Sequence, residues 1–175
     1  MVKALPNAMK PQVPGEPADE SEPDDEEGIL KTCDTVDELV QQELDRGVEP
    51  GRIVVGGFSQ GCAVALVWGQ VGRLRDRVAG VVCLSGYFPL ADRIPELRKA
   101  RGIPEDEQSK SQWFYIHGSA DALVPMRLFV AGVEQLTKYV KKEAVEGHVY
   151  DGMGHSTNNA LLRDLLGFLD KVIPP

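Results

Sequence analysis

The chain has 175 residues, 42% of them hydrophobic, a size that builds one substantial core and argues against a second full domain. Its net charge of −8 is matched by Glu16, Asp19, Glu20, Glu22, Asp24, Asp25, Glu26 and Glu27, so the remainder is close to neutral and carries no basic stripe. That excludes nucleic acid as a partner class, because no counterion-release route to a polyanion exists; no run approaches the roughly 18 consecutive apolar residues of a spanning helix, so stable membrane insertion is not expected.

The start, Met1-Val2-Lys3-Ala4-Leu5-Pro6, lacks the apolar stretch of a signal peptide. A soluble protein of the cytoplasm, or also of the nucleus, is the expectation. Cys33, Cys62 and Cys83 are an odd number of cysteines, each inside an apolar pattern, and read as reduced core residues.

In chain order, residues 10–28 combine Pro11, Pro14, Pro17 and Pro23 with acidic and small residues, and only Val13 offers a core. Too little apolar surface is available there to offset ordering, which predicts a mobile loop. Ile29, Cys33, Val36, Val40 and Leu44 then form the stripe of an amphipathic helix with acidic residues at its start and Gly47 as its stop. Beyond it, short apolar runs alternate with helical patterns, the signature of a parallel sheet with crossover helices. Arg52 to Gly57 is the first strand, expected to be buried on both faces, with a helix from about Gln60 to Leu74 after it. Val78 to Ser85, Trp113 to His117 and Val145 to Tyr150 are the next strands. Phe129, Val133, Leu136 and Val140 mark a helix between the last two, and residues 108–111, with 94–108 more loosely, read as a polar surface loop with a short helix. The final helix is expected to start near Ser156 or Thr157, to bury Leu161, Leu165, Phe168, Leu169 and Val172, and to end at Pro174.

Gly57-Phe58-Ser59-Gln60-Gly61 lies between the first strand and its helix. A serine on a tight strand-to-helix turn, with glycines two before and two after to let backbones approach, is the nucleophile position of an α/β-hydrolase. Such a serine needs an imidazole to accept its proton and a carboxylate to orient the imidazole. Asp121 in His117-Gly118-Ser119-Ala120-Asp121 and His155 in Gly152-Met153-Gly154-His155-Ser156 follow the third and fourth strands, at the carboxyl ends where α/β sheets assemble their sites. Ser59, Asp121 and His155 are therefore the candidate triad. His117 is expected to brace the turn carrying Asp121, and His148, inside a strand, to be structural. Cys62 could be activated by the helix dipole, but reads as a small buried residue; Trp68 and Trp113 read as core, and three scattered histidines offer no metal spacing.

From about Leu5 onward the sequence resembles the acyl-protein thioesterase and small carboxylesterase family, which includes lysophospholipases. The likeness is carried by Leu5-Pro6-Asn7-Ala8, Arg52 to Gly61, Leu84-Ser85-Gly86-Tyr87, His117 through Asp121, Val124-Pro125 and Gly152 to Ser156. It implies one α/β-hydrolase domain over residues 1–175, a mostly parallel sheet with helices on both faces, and no cofactor. It also implies hydrolysis of acyl thioesters or carboxylic esters, with S-acylated proteins, small acyl esters or lysophospholipids as substrates and protein depalmitoylation as the leading activity. The family's His-Gly-Leu-Gly-Asp type loop before the nucleophile has no counterpart in these residues, and Cys62 stands where a glycine is usual. The resemblance is thus to a member lacking its N-terminal portion. Two expectations follow: Ile53 to Val55 lie along an open sheet edge, and the backbone N–H of Gln60 is the remaining oxyanion donor, the loss of the other costing on the order of 10² to 10³ in rate. A scaffold that binds without catalysing is the alternative.

Overall fold

The computed structural model describes residues 24–173. Most of the expected loop over residues 10–28, the Leu5-Pro6-Asn7-Ala8 motif and Pro174 lie outside the described residues. The part of that loop that is described departs from expectation, because α1 spans Glu26–Asp45. Asp25 explains the early start: its carboxylate accepts from Gly28 N at 2.9 Å, while Glu26 and Glu27 occupy the first turn, where the helix dipole favours negative charge.

Strands β1 (Val54–Phe58), β2 (Gly80–Leu84), β3 (Gln112–Gly118) and β4 (Val145–Tyr150) form a four-stranded sheet in the order β1-β2-β3-β4, with every neighbouring pair parallel. Between them run α2 (Gln60–Val71), α3 (Ile94–Ala100) and α4 (Met126–Leu136), and α5 (Asn159–Val172) closes the chain. Alternate strand residues serve two cores. On one face, Ile53, Val81, Cys83, Trp113 and Tyr115 meet α1, α2, α3 and α4; on the other, Val82, Phe114 and Ile116 meet Leu161 and Phe168 of α5. Helices thus cover both faces, as expected.

Among the described residues β1 is an edge strand, so Val54 and Val55 are only half-buried rather than covered on both faces. The open edge leaves one side of the strand without a neighbour, in line with the expected exposure, although Ile53 is buried. Cys33, Cys62 and Cys83 are buried and unbonded, and Trp68 and Trp113 are fully buried.

Three helix ends differ from the sequence reading. α2 stops at Val71 rather than Leu74, because Asp37 of α1, itself buried, accepts from Arg73 N at 2.9 Å, Leu74 N at 3.0 Å and Trp68 Nε1 at 2.9 Å, which turns the chain away. α4 stops at Leu136, and Val140 leaves it to bridge Ser109. α5 takes Asn158 as its cap, whose side chain accepts from Leu161 N at 2.8 Å, in place of Ser156 or Thr157. The polar stretch 94–111 is also more than a surface loop with a short helix: Ile94, Leu97, Arg98, Ser109 and Ser111 are buried.

Candidate active site

Ser59 sits between the end of β1 and the first residue of α2, with φ 56° and ψ −116°. Only an over-determined setting holds a non-glycine residue there. Ser59 N donates to Leu84 O of β2 at 2.8 Å, and Gly57 lies so close to Gly61 that a methyl group on it would stand 2.1 Å from the Gly61 carbonyl carbon. The turn is locked by neighbours on both sides. As the first helical residue of α2, Gln60 has an N–H with no carbonyl one turn earlier in the helix to bond.

Asp121 follows β3, and its side chain is fully buried. Oδ1 accepts from Leu123 N and Val124 N, both at 2.9 Å, and Oδ2 faces His155 Nδ1 at 2.8 Å. Three donors thus compensate one buried charge. His155 Nε2 in turn lies 2.9 Å from Ser59 Oγ. With Nδ1–H donating to the carboxylate, Nε2 is left as the acceptor for the serine hydroxyl. The sequence-predicted residues Ser59, His155 and Asp121 are brought together in one hydrogen-bonded line.

His117 Nε2 donates to Val124 O at 2.8 Å and lies 3.7 Å from Asp121 Oδ2, while its ring stacks on Phe129. It braces the Asp121 turn, as the sequence reading had it. Gly118 matters beside it, because a side chain there would strike Met153 O at 2.1 Å and separate the two loops that carry Asp121 and His155. His148 of β4 pairs with Glu146 at 3.2 Å, away from Ser59, and Cys62 is fully buried beneath the elbow. Among the described residues, no group of three or more His, Cys, Asp or Glu side chains is placed to hold a metal ion, and no helix is long and apolar enough to cross a membrane.

One neighbour escaped the sequence reading. Phe58, exposed by 39%, sets its ring 4.8 Å from that of His155. Its even position on β1 turns it to the α5 face, a parity readable from the strand register but silent as to what lies above.

The sequence model of the Phospholipase/Carboxylesterase family matches residues 16–173. The chain belongs to that family. Acyl-protein thioesterase 1 of Emericella nidulans is 38% identical over 151 residues, covering 86% of this chain and 60% of the relative. Acyl-protein thioesterase 1 of Yarrowia lipolytica is 34% identical over 149 residues, covering 85% of this chain and 62% of the relative. The crystal structure of Arabidopsis thaliana SOBER1 superposes with a TM-score of 0.67 at 25% identity, covering 86% of this chain and 67% of that one. The fold is therefore that of the α/β-hydrolase esterases. This member of the family spans about 60% of the length of the curated relatives it matches.

Proposed function

We propose that this chain is a serine hydrolase of acyl thioesters and carboxylic esters, acting on S-acylated proteins as a depalmitoylating enzyme through Ser59, His155 and Asp121. The observation that carries the reading is the unbroken line from Asp121 Oδ2 through His155 to Ser59 Oγ, with steps of 2.8 and 2.9 Å. Family membership and the thioesterase names of the relatives support the substrate class.

In this reading Ser59 Oγ attacks the acyl carbonyl carbon while His155 Nε2 takes the hydroxyl proton, and Asp121 stabilises the imidazolium that forms. The N–H of Gln60, at the positive end of α2, donates to the developing oxyanion. Collapse of the tetrahedral adduct expels the thiolate or alkoxide, which takes the proton from His155, and leaves an ester on Ser59. Water, deprotonated by His155, then attacks that ester, and collapse of the second adduct releases the fatty acid while His155 returns the proton to Ser59 Oγ.

A fluorophosphonate probe tests the reading, followed by turnover of a palmitoylated cysteine peptide, a p-nitrophenyl ester and a lysophospholipid. Labelling that Ser59→Ala abolishes, with peptide turnover lost in His155→Ala, is the expected result. A folded protein that neither labels nor turns over any of the three substrates would show the scaffold to be a binding protein. Turnover of the lysophospholipid alone would move the substrate from protein to lipid.

A further inference from the structure

Among the described residues, the non-glycine residues with positive φ are Ser59 at 56°, Ser85 at 49° and Leu90 at 54°. The first is the elbow, and the other two lie on the connection from β2 to α3, which runs directly beside it. Leu84 O accepts Ser59 N at 2.8 Å, and a side chain on Gly86 would strike Ser59 O at 2.7 Å and Cys62 Cβ at 2.6 Å. The elbow therefore rests against Leu84 to Gly86. Whatever fixes that connection fixes one wall of the elbow.

Strained backbone persists only where surroundings over-determine it. Ser85 is held from within: it is fully buried, its N–H donates to Ile116 O at 3.1 Å, and Tyr115 OH, from below the sheet, donates to Gly86 O at 3.1 Å. Leu90 has its side chain in the core and its carbonyl accepting from Arg93 N and Ile94 N, and its amide is held from without. Its N–H donates to Asp24 Oδ2 at 2.8 Å, and Tyr87 OH donates to Asp24 Oδ1 at 3.1 Å. One carboxylate thus closes the turn at both ends. Asp24 is itself fixed by the start of α1, where Asp25 caps the helix and Glu26 pairs with Arg93, the residue before α3, at 3.5 Å.

We propose that Asp24 is a positioning residue for the nucleophile elbow, acting through the Tyr87–Leu90 turn and Gly86. Its kinetic consequence rests on the hydrolase reading above; its structural consequence does not. With the carboxylate gone, the Leu90 amide loses its acceptor, the left-handed turn relaxes, and Gly86 no longer holds the Ser59 carbonyl in place.

The test uses the full 175-residue chain as wild type, Asp24→Ala and Asp24→Asn, read by backbone amide exchange, by thermal unfolding, and by the rate and half-saturation of fluorophosphonate labelling. In Asp24→Ala, exchange at Leu90 and at the bonded elbow amides of Ser59 and Ala63 should rise about tenfold or more while β3 stays as protected as in the wild type. The maximal labelling rate should fall about tenfold at unchanged half-saturation, the signature of a misplaced nucleophile rather than a lost binding contact. Asp24→Asn, which keeps an acceptor for the Leu90 amide, should restore most of both. Wild-type-like exchange at the elbow in Asp24→Ala, equal acceleration throughout the sheet, or failure of Asp24→Asn to rescue would each overturn the inference. An unlabelled wild type would count against the hydrolase reading, and elbow exchange would still decide the role of Asp24.

Discussion

A methyl group on Gly57 would stand 2.1 Å from the carbonyl carbon of Gly61, whereas one on Gly61 would meet nothing within 4 Å. The two glycines of the Gly-x-Ser-x-Gly pattern are therefore unequal. Backbone cannot step aside as a side-chain tip can, so Gly57→Ala should cost more than about 3 kcal/mol, the upper end of ordinary overpacking. Gly61→Ala, in the first turn of α2, should be neutral or stabilising by up to about 1 kcal/mol through helix propensity alone. Urea unfolding with probe labelling of each variant measures both, and equal losses would contradict the geometry.

Asp121→Asn isolates the electrostatic part of the site. The new amide oxygen can still accept from Leu123 N and Val124 N, so the turn and the fold should survive. Its NH₂ would then face His155 Nδ1, forcing the proton to Nε2 and removing the acceptor for Ser59. On the hydrolase reading turnover should fall about 10⁴-fold, the loss this substitution causes in other Ser-His-Asp enzymes. Nitrogen chemical shifts of His155 should report the switched tautomer, and an unswitched ring with full activity would defeat the mechanism.

Much of the site was legible because its residues sit at loop positions fixed by strand ends. Ser59, Asp121 and His155 each follow a strand that the apolar runs had marked, and a parallel sheet delivers such loops to one edge. The helix ends were not legible, because long-range partners set them. Asp37 stands on the apolar stripe of α1, four residues after Cys33 and three before Val40, but that spacing does not name the partners through which its carboxylate ends α2, Arg73 N and Leu74 N. Asp24 was hidden for the same reason, its partners Tyr87 and Leu90 being more than 60 residues away.

Alkaline pH should loosen the fold in a defined direction. Burial, with Asp37 next in effect, pushes the Cys33 thiol up from 9.0 to about 12, and burial with Asp24 beside it pushes the Tyr87 hydroxyl up from 10.0 to about 12. Both folded values exceed the unfolded ones, so the folded state keeps protons that the unfolded chain releases. The stabilisation is complete below the unfolded values and is lost as pH rises through the folded ones. The urea midpoint should be level from about pH 7 to 8.5 and fall steadily above about pH 9, with a shallower fall above about pH 10 in Tyr87→Phe. A midpoint that rises with pH would mean that the folded state binds fewer protons than the unfolded chain.

Arg98 offers a stability test at the opposite end of the sheet from Ser59. It is 2% exposed, its Nη1 donates to Gln70 O at 3.3 Å, its Nη2 donates to Pro104 O at 3.2 Å and to Glu107 O, and its guanidinium lies 5.1 Å from the Tyr139 ring centroid. One cation thereby satisfies Gln70 O of α2 and two carbonyls, Pro104 O and Glu107 O, of a stretch whose composition suggested a polar surface loop with a short helix. Its burial is costly, and burial with Arg75 nearby lowers its pKa, so substitution removes a penalty as well as bonds. The unsatisfied carbonyls should decide the balance: Arg98→Met, similar in length and apolar, should destabilise by about 1 to 3 kcal/mol. Because α2 runs from Ser59 at its start to Gln70 near its end, the loss falls on the amino-terminal side of the strands. Ser59 labelling per folded molecule should therefore be unchanged, and a variant as stable as the wild type would mean that repulsion between Arg75 and Arg98 outweighs the three bonds.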